Sequence, residues 1–337
     1  MTFGARARVV NPRLGTYFSI FAALFTALFL LVLIFEQLNL NESLLRLAFF
    51  AGPILIYAGI GLSVGSNDTL NYFAAGRRVP AAYTGLLLAA SAMGATFVVA
   101  GTGAFFFAGF DALVLLIGTL TGLVVMAITL APFYRKFGAF TVPSYLGRRF
   151  DSRPLRIASA AVVAVPMLLV LSAELRMGAE IGGRLVAINP SLIVCVLALS
   201  VAIITGAGGK RSFTWAGVAQ SIALFLALLG VATAVSVIIT SLPIPQLANG
   251  PIARGLVRNE VNEGLQLVNV WPLAFDLPGD GFAALTKPYM QPFGDVGVLS
   301  FGLAILSIAA GISTAPWLLP RVAATPSVYE ARKALGW

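Results

Sequence analysis

The chain has 337 residues, of which 59% are hydrophobic and only 10% are charged, and its mean hydropathy is +0.93. So few charges could not cover the surface of a 35.3 kDa globular protein, which excludes a soluble fold. Histidine is absent, which excludes His-based metal sites and catalytic bases, and Cys195 has no second cysteine to pair with. We therefore predict a protein that is not an enzyme and holds no metal centre.

Eight apolar stretches are long enough to cross a bilayer, and they predict an all-α polytopic membrane protein. In chain order they are about Tyr17–Phe35, Leu47–Val64, Ala81–Phe110, Ala112–Tyr134, Ile157–Gly183, Pro190–Gly209, Ser212–Leu242 and Val296–Pro320. The first stretch has a basic start but lacks a small-residue cleavage pattern at its end, so we interpret it as an uncleaved span.

The basic residues between these stretches predict the orientation. Most of the 22 Lys and Arg residues fall in the terminal segments and in alternate loops, as at Arg77, Arg78, Arg148, Arg149 and Lys210. By the positive-inside rule that side is cytoplasmic. We therefore predict a protein of the bacterial cytoplasmic (inner) membrane with both termini on the cytoplasmic side. The net charge of +9 is then a topology signal, and the expected partner is a lipid bilayer rather than a nucleic acid.

The middle of the third stretch is made of small and polar residues, Ala90-Ser91-Ala92-Met93-Gly94-Ala95-Thr96, where lipid-facing Leu or Ile would be expected. Two interpretations are open for this interruption. Small residues allow helices to pack closely. Alternatively, the helix is broken at mid-depth, as in transporters that bind ions and substrate at the membrane midplane.

The fifth stretch carries Glu174, Arg176 and Glu180, and charges within a span are costly. Arg176 and Glu180 are four residues apart, as are Glu180 and Arg184, so a local ladder of ion pairs is available. Glu174 has no local partner of this kind. It either carries a proton or attracts a cation, or it lies near the outer end of the span and reaches water.

The longest segment outside the spans, Pro243–Asp295, is rich in Pro and Gly and is expected on the outer side. Within it, Val270–Phe275 has the character of an interfacial anchor, with Trp271 suited to the headgroup level. A gate over an external vestibule is the alternative.

Motifs along the whole chain resemble the sodium:solute symporter family, especially its branch of acetate-type monocarboxylate permeases. They are Asn71–Pro80 before the interrupted span, Leu130–Gly138, Thr141–Phe150, Thr214–Gln220, Trp271–Asp276 and Thr325–Lys333. The resemblance implies a leucine-transporter fold, in which two inverted repeats of five helices surround a midplane site. It also implies transport of a small organic acid coupled to Na⁺, with no other cofactor.

In this fold the first helix of each repeat is broken, and here these are the third and eighth spans. The eighth contains Ala309-Ala310-Gly311-Ile312-Ser313-Thr314-Ala315-Pro316, as small and helix-breaking as the third. The resemblance implies backbone carbonyl ligands for Na⁺ at Ala90 and Met93. It implies a substrate pathway along Ser91, Gly94, Thr96, Gly311, Ser313 and Thr314.

We predict a single membrane domain over residues 1–337. Residues 17–64 form two peripheral helices, 81–242 the first repeat, 243–295 the external loop and 296–320 the first helix of an incomplete second repeat. A ten-helix core needs four more helices, so we expect an amino-terminal part of a symporter, with a second chain as a candidate source of the missing helices. The alternative function is a non-transporting membrane subunit, or a degenerate remnant, that binds a partner chain.

Overall fold

The computed structural model describes residues 14–39, 41–263, 267–268, 286–287, 289–293 and 297–337. Within these ranges the chain is helical apart from one antiparallel pairing of two-residue strands, in which Leu267 is opposite Lys287. The helices are α1 (Leu14–Gln37), α2 (Glu42–Ser63), α3 (Thr69–Ala74), α4 (Ala81–Ala92), α5 (Ala95–Ala108), α6 (Leu113–Ile128), α7 (Leu130–Phe137), α8 (Val142–Arg149), α9 (Arg153–Val186), α10 (Pro190–Thr240), α11 (Pro245–Glu263), α12 (Gly297–Ser313) and α13 (Val328–Gly336). The strands are β1 (Leu267–Val268) and β2 (Thr286–Lys287), and short 3-10 segments cover Ala75–Arg77, Gly109–Ala112 and Leu319–Ala324.

The predicted all-helical membrane fold is confirmed. Within the described ranges, five helical segments are long and apolar enough to cross a bilayer: Ser19–Gln37, Glu42–Ser63, Ala95–Ile128, Arg153–Val186 and Pro190–Thr240. Two shorter apolar helices, Ala81–Ala92 and Gly297–Ser313, belong to the third and eighth predicted spans. Helices suit this environment because hydrocarbon offers no water to satisfy backbone polar groups.

The 51-residue helix α10 contains a break that divides it into the sixth and seventh predicted spans. Gly208 and Gly209 have non-helical backbone angles, and φ of Gly209 is +55°. A Cβ at Gly209 would lie 2.5 Å from the Tyr72 carbonyl oxygen, so only glycine fits this turn without strain.

The predicted loop 243–295 is partly helical, because α11 covers nineteen of its residues, Pro245–Glu263. Pro245 stands at the first helical position, where a missing N–H costs nothing. The residues after Pro251 include good helix formers such as Ala253, Arg254 and Leu256.

Contacts group the chain into two compact units. The first comprises Met1–Thr96, Met126–Ile222 and Thr314–Trp337, and its core lies where α4, α7, α13 and the 3-10 segment Leu319–Ala324 meet. There the N–H of Val79 donates to the Ala324 carbonyl at 3.1 Å. The N–H of Ala81 donates to the carboxylate of Glu330 at 3.1 Å, so a side chain of α13 caps the start of α4.

The second unit comprises Phe97–Val125 and Ala223–Ser313. In it, α6 packs against α12 through Gly118 and Gly122, a small-xxx-small spacing that allows two membrane helices to approach closely. A Cβ at Gly122 would lie 2.7 Å from Ile312 Cβ and 2.8 Å from the Ala309 carbonyl oxygen. This contact holds the last turn of α12, which ends at Ser313.

We expect Gly122→Ala to destabilise the protein, because neither the Ile312 Cβ nor the Ala309 backbone can move aside cheaply. The cost of such overpacking is about 1–3 kcal/mol. Gly103→Ala in α5 is the matched control, since a Cβ there meets nothing within 4 Å. Unfolding by SDS of both variants in detergent measures the difference, and equal stability of the two would contradict this packing.

Candidate ion and substrate site

The third predicted span is two helices rather than one. α4 ends at Ala92 and α5 begins at Ala95, and the residues that join them, Met93 and Gly94, are not helical. The break lies in the middle of the small-residue run. The unwinding predicted for this span is therefore confirmed.

The end of α4 leaves backbone oxygens without helical partners. The N–H of Met93 donates to the Ala89 carbonyl at 2.9 Å, which is the last bond of the helix. The carbonyls of Ala90, Ser91 and Ala92 have no following turn to supply a donor. Such oxygens suit a hard cation. The assignment of Na⁺ to the carbonyls of Ala90 and Met93 stays a prediction.

Glu174 of α9 lies against this break. Its Oε2 accepts a hydrogen bond from the backbone N–H of Thr96 at 3.2 Å. Its carboxylate also occupies the space that a Cβ on Gly94 would need. The first N–H groups of α5 and its positive dipole end stabilise a negative charge here. The Glu174 carboxylate thus contacts the unwound backbone, and its role in carrying a proton or attracting a cation stays a prediction.

The hydroxyl of Thr96 is a further unsatisfied polar group at the break. Its Oγ1 is buried and has no hydrogen-bond partner among the described residues. The Ser91 hydroxyl, in contrast, donates to the Leu87 carbonyl of its own helix. A buried hydroxyl without a partner costs free energy, which a bound ligand would recover.

The expected ion-pair ladder on α9 is not formed. Arg176, Glu180 and Arg184 are all exposed, and no ion pair within 4.0 Å joins them in the described part of the chain. Arg precedes Glu in the first of these pairs, which is the less favourable order on a helix. Exposed pairs also gain little free energy from contact. Only Glu174 of the three predicted intramembrane charges therefore lies at the break.

The eighth predicted span is also interrupted, as expected. α12 ends at Ser313, and Thr314 and Ala315 lead through a turn to the 3-10 segment Leu319–Ala324. Ser313 is buried, and its hydroxyl donates to the Ala310 carbonyl at 2.9 Å. A Cβ at Gly311 would meet nothing within 4 Å, so close packing does not explain this glycine. The pathway roles of Gly311, Ser313 and Thr314 stay predictions.

The first unit contains a cavity of about 720 Å³. We call it the inner cavity. Its lining includes Leu87, five residues before the end of α4, and Pro316 and Trp317, directly after the eighth-span break. Its other walls come from α3, the start of α8, α9 and the middle of α10. The predicted pathway residues Ser91, Gly94, Thr96, Gly311, Ser313 and Thr314 are not part of its lining.

Three basic residues line the inner cavity: Arg156, Lys210 and Arg321. The guanidinium of Arg321 lies 4.3 Å from the centre of the Phe213 ring, and its Nε donates to the Trp317 carbonyl at 3.1 Å. Burial lowers the pKa of Arg321 to about 10, which leaves it protonated at neutral pH. From the sequence, Lys210 and Arg321 counted only as topology signals. The break at Gly208–Gly209 and the prolines around Trp317 were the available signs that these cations face a cavity.

Part of the segment 243–295 is fixed onto the end of α5. The Tyr289 hydroxyl donates to the Phe105 carbonyl at 2.7 Å, and the N–H of Phe110 donates to the Tyr289 carbonyl at 3.1 Å. The N–H of Phe293 donates to Asp111 at 2.9 Å. The predicted interfacial stretch Val270–Phe275 lies outside the described residues, so its role as an anchor or a gate stays open.

We expect Gly94→Ala to destabilise the protein by about 1–3 kcal/mol, because the new methyl group displaces the Glu174 carboxylate. Most of that cost should disappear when the same change is made in a Glu174→Ala background. The four proteins form a double-mutant cycle that SDS unfolding measures. Additive effects of the two substitutions would show that Glu174 does not contact the break.

Residues 72–243 match the sodium:solute symporter family. A symporter of Cupriavidus necator, itself uncharacterised, is 27% identical over 231 residues, which make up 67% of this chain and 34% of the relative. The chain thus spans about a third of the length of that relative.

A solved structure of a Na⁺-coupled sialic acid symporter, in a substrate-bound outward-open state, has the same fold. The TM-score is 0.59 at 16% identity, over 86% of this chain and 55% of that one. This likeness confirms the leucine-transporter-type fold that the sequence resemblance implied. Because the family match extends over half of the sequence, from α3 to just beyond α10, this chain belongs to the sodium:solute symporter family.

Proposed function

We propose that this chain forms part of a Na⁺-coupled symporter that moves a small organic acid, a monocarboxylate, across a bacterial cytoplasmic membrane. The observation that carries the proposal is the break between α4 and α5, where α4 ends in carbonyls that lack helical donors and the Glu174 carboxylate accepts from the N–H of Thr96. Family membership and the fold of a Na⁺-coupled relative support it.

In this proposal Na⁺ binds at the carbonyls of Ala90 and Met93. Carbonyl oxygens satisfy a monovalent cation without adding charge to the membrane interior. The Glu174 carboxylate, which contacts Gly94 and Thr96 from α9, adds the negative charge that favours a cation at this depth. The Thr96 hydroxyl is the nearby side-chain oxygen without a protein partner.

The proposed substrate pathway includes Ser91, Gly94 and Thr96 of the first break and Gly311, Ser313 and Thr314 of the second. Broken helices offer polar backbone groups at mid-depth, which continuous helices do not. The helices that complete the site would come from outside the sequence described here, either from the same protein or from a partner chain.

Transport is tested by co-expressing this chain with the carboxyl-terminal helices of the Cupriavidus necator relative and reconstituting both in liposomes. We expect an inward Na⁺ gradient to drive uptake of acetate, propionate or pyruvate, and an equal K⁺ gradient to drive none. Glu174→Gln should reduce the Na⁺-driven uptake at least about tenfold, because one charged ligand is lost. Arg176→Gln, an exposed change on the same helix, should not. Uptake that ignores the cation would contradict the proposal.

We also propose that both termini are cytoplasmic and α11 is external, as the basic residues indicate. Two exposed positions test this in a Cys195→Ala background, because Val261 is 77% exposed and Tyr329 is 71% exposed. We expect a membrane-impermeant maleimide to label Val261→Cys in intact cells and Tyr329→Cys only in inside-out vesicles. The opposite pattern would reverse the orientation.

A further inference from the structure

We propose that the inner cavity binds a small amphipathic organic anion, whose carboxylate is held by Lys210 and Arg321. The inner cavity would then be a second binding place for the solute. That this anion is the transported solute rests on the proposed function. The supports for binding are the charge, the free donors and the shape of the inner cavity.

The first support is an uncompensated positive charge. The inner cavity is lined by three basic residues and by no Asp or Glu. Two acidic side chains of the same unit are used elsewhere, since Glu330 accepts from the N–H of Ala81 and Asp68 from the N–H of Asn71. No ion pair to Lys210 or Arg321 occurs among the described residues. Cations in a partly dry site without a counter-ion attract an anion strongly.

The second support is the set of N–H donors on Lys210 and Arg321 that no protein acceptor takes among the described residues. The ammonium of Lys210 has three N–H donors, and it contacts two carbonyl oxygens, Phe140 at 2.7 Å and Pro320 at 3.5 Å. The guanidinium of Arg321 has five N–H donors, and the Trp317 carbonyl takes the one on Nε. Both side chains line the cavity, so their remaining donors are available to a ligand there. Two cationic groups with spare donors suit the two oxygens of one carboxylate.

The third support is the apolar wall. Around the cations stand Phe73, Phe140, Val163, Met167, Phe213 and Trp317. A wall of this kind favours a ligand with an apolar body, and a volume of about 720 Å³ lies in the usual range of small-molecule sites. A hydrated inorganic ion would leave that apolar surface unused.

An anionic lipid also carries an anionic oxygen group on an apolar body, so it has the chemistry that the inner cavity would bind. The volume of about 720 Å³, which is in the range of small-molecule sites, favours the soluble acid. The experiment therefore includes a lipid arm.

The test measures binding to the purified full chain by isothermal titration in choline buffer without Na⁺. The probes are benzoate and its uncharged analogue benzamide. We expect benzoate to bind saturably with a Kd below about 10 mM and benzamide not to bind. Trp317 lies in the cavity wall, so benzoate should also change tryptophan fluorescence, and Trp317→Phe should remove that change while the heat of binding remains.

Variants separate a ligand contact from a structural role. Lys210→Met should weaken benzoate binding at least about tenfold, and Lys210→Arg should retain most of it. Lys136→Met is the matched control, because Lys136 is exposed and does not line the cavity. Equal binding of benzoate and benzamide to the unaltered chain would overturn the proposal whether or not any variant folds. So would equal losses in Lys210→Met and Lys136→Met.

The lipid arm compares nanodiscs of phosphatidylcholine with nanodiscs that also contain phosphatidylglycerol. Unchanged benzoate affinity supports a soluble acid as the occupant, whereas competition by the anionic lipid would overturn that assignment. Because no Na⁺ is present, the result is independent of the proposed transport. Binding without Na⁺-driven uptake would count against the symporter alone, and uptake without binding would count against this cavity alone.

Discussion

The hydrogen bond between the Glu174 carboxylate and the Thr96 amide is the contact on which the centre of this protein depends. A span that is interrupted in mid-membrane exposes backbone donors at the start of its second half, and hydrocarbon offers them no partner. Here a neighbouring helix supplies the acceptor, and Gly94 supplies the space for it. The same break also ends α4, whose last carbonyl oxygens lack helical donors, and in the proposed mechanism these oxygens and the carboxylate attract a cation.

The inner cavity has the opposite electrostatic character. α4 is held at its start by Glu330 and by the Val79–Ala324 backbone bond, while the inner cavity beside it is lined by cations. In the proposed mechanism the negative site at the break would take the cation and the positive cavity would take the anion. Neither charge then enters a dry interior without a partner, and such an entry would be the main free-energy cost of moving both across a membrane.

Much of the architecture follows from sequence alone because it depends on local chemistry. Small residues without packing side chains mark both helix breaks, and Gly208–Gly209 marks the turn within α10. The position of Glu174 could not be predicted in this way. α9 is apolar around most of its circumference, so its sequence does not show which face meets α4, and the tertiary fold decides it. The roles of Lys210 and Arg321 were missed for a related reason, since a basic residue near a span end carries a topology signal wherever its side chain points. The predicted ladder at Arg176 and Glu180 failed because sequence spacing permits an ion pair but exposure leaves it little to gain.

Hydrogen–deuterium exchange at the break tests most directly whether this site binds a cation. The informative peptides are those that span residues 88–100, compared in equal concentrations of NaCl and choline chloride. The account predicts that Na⁺ slows exchange at Met93–Thr96, because coordination by the flanking carbonyls orders the unwound segment, and that Glu174→Gln abolishes the difference. Exchange at these amides that is identical in Na⁺ and choline, under conditions where the unaltered chain is folded, would contradict it.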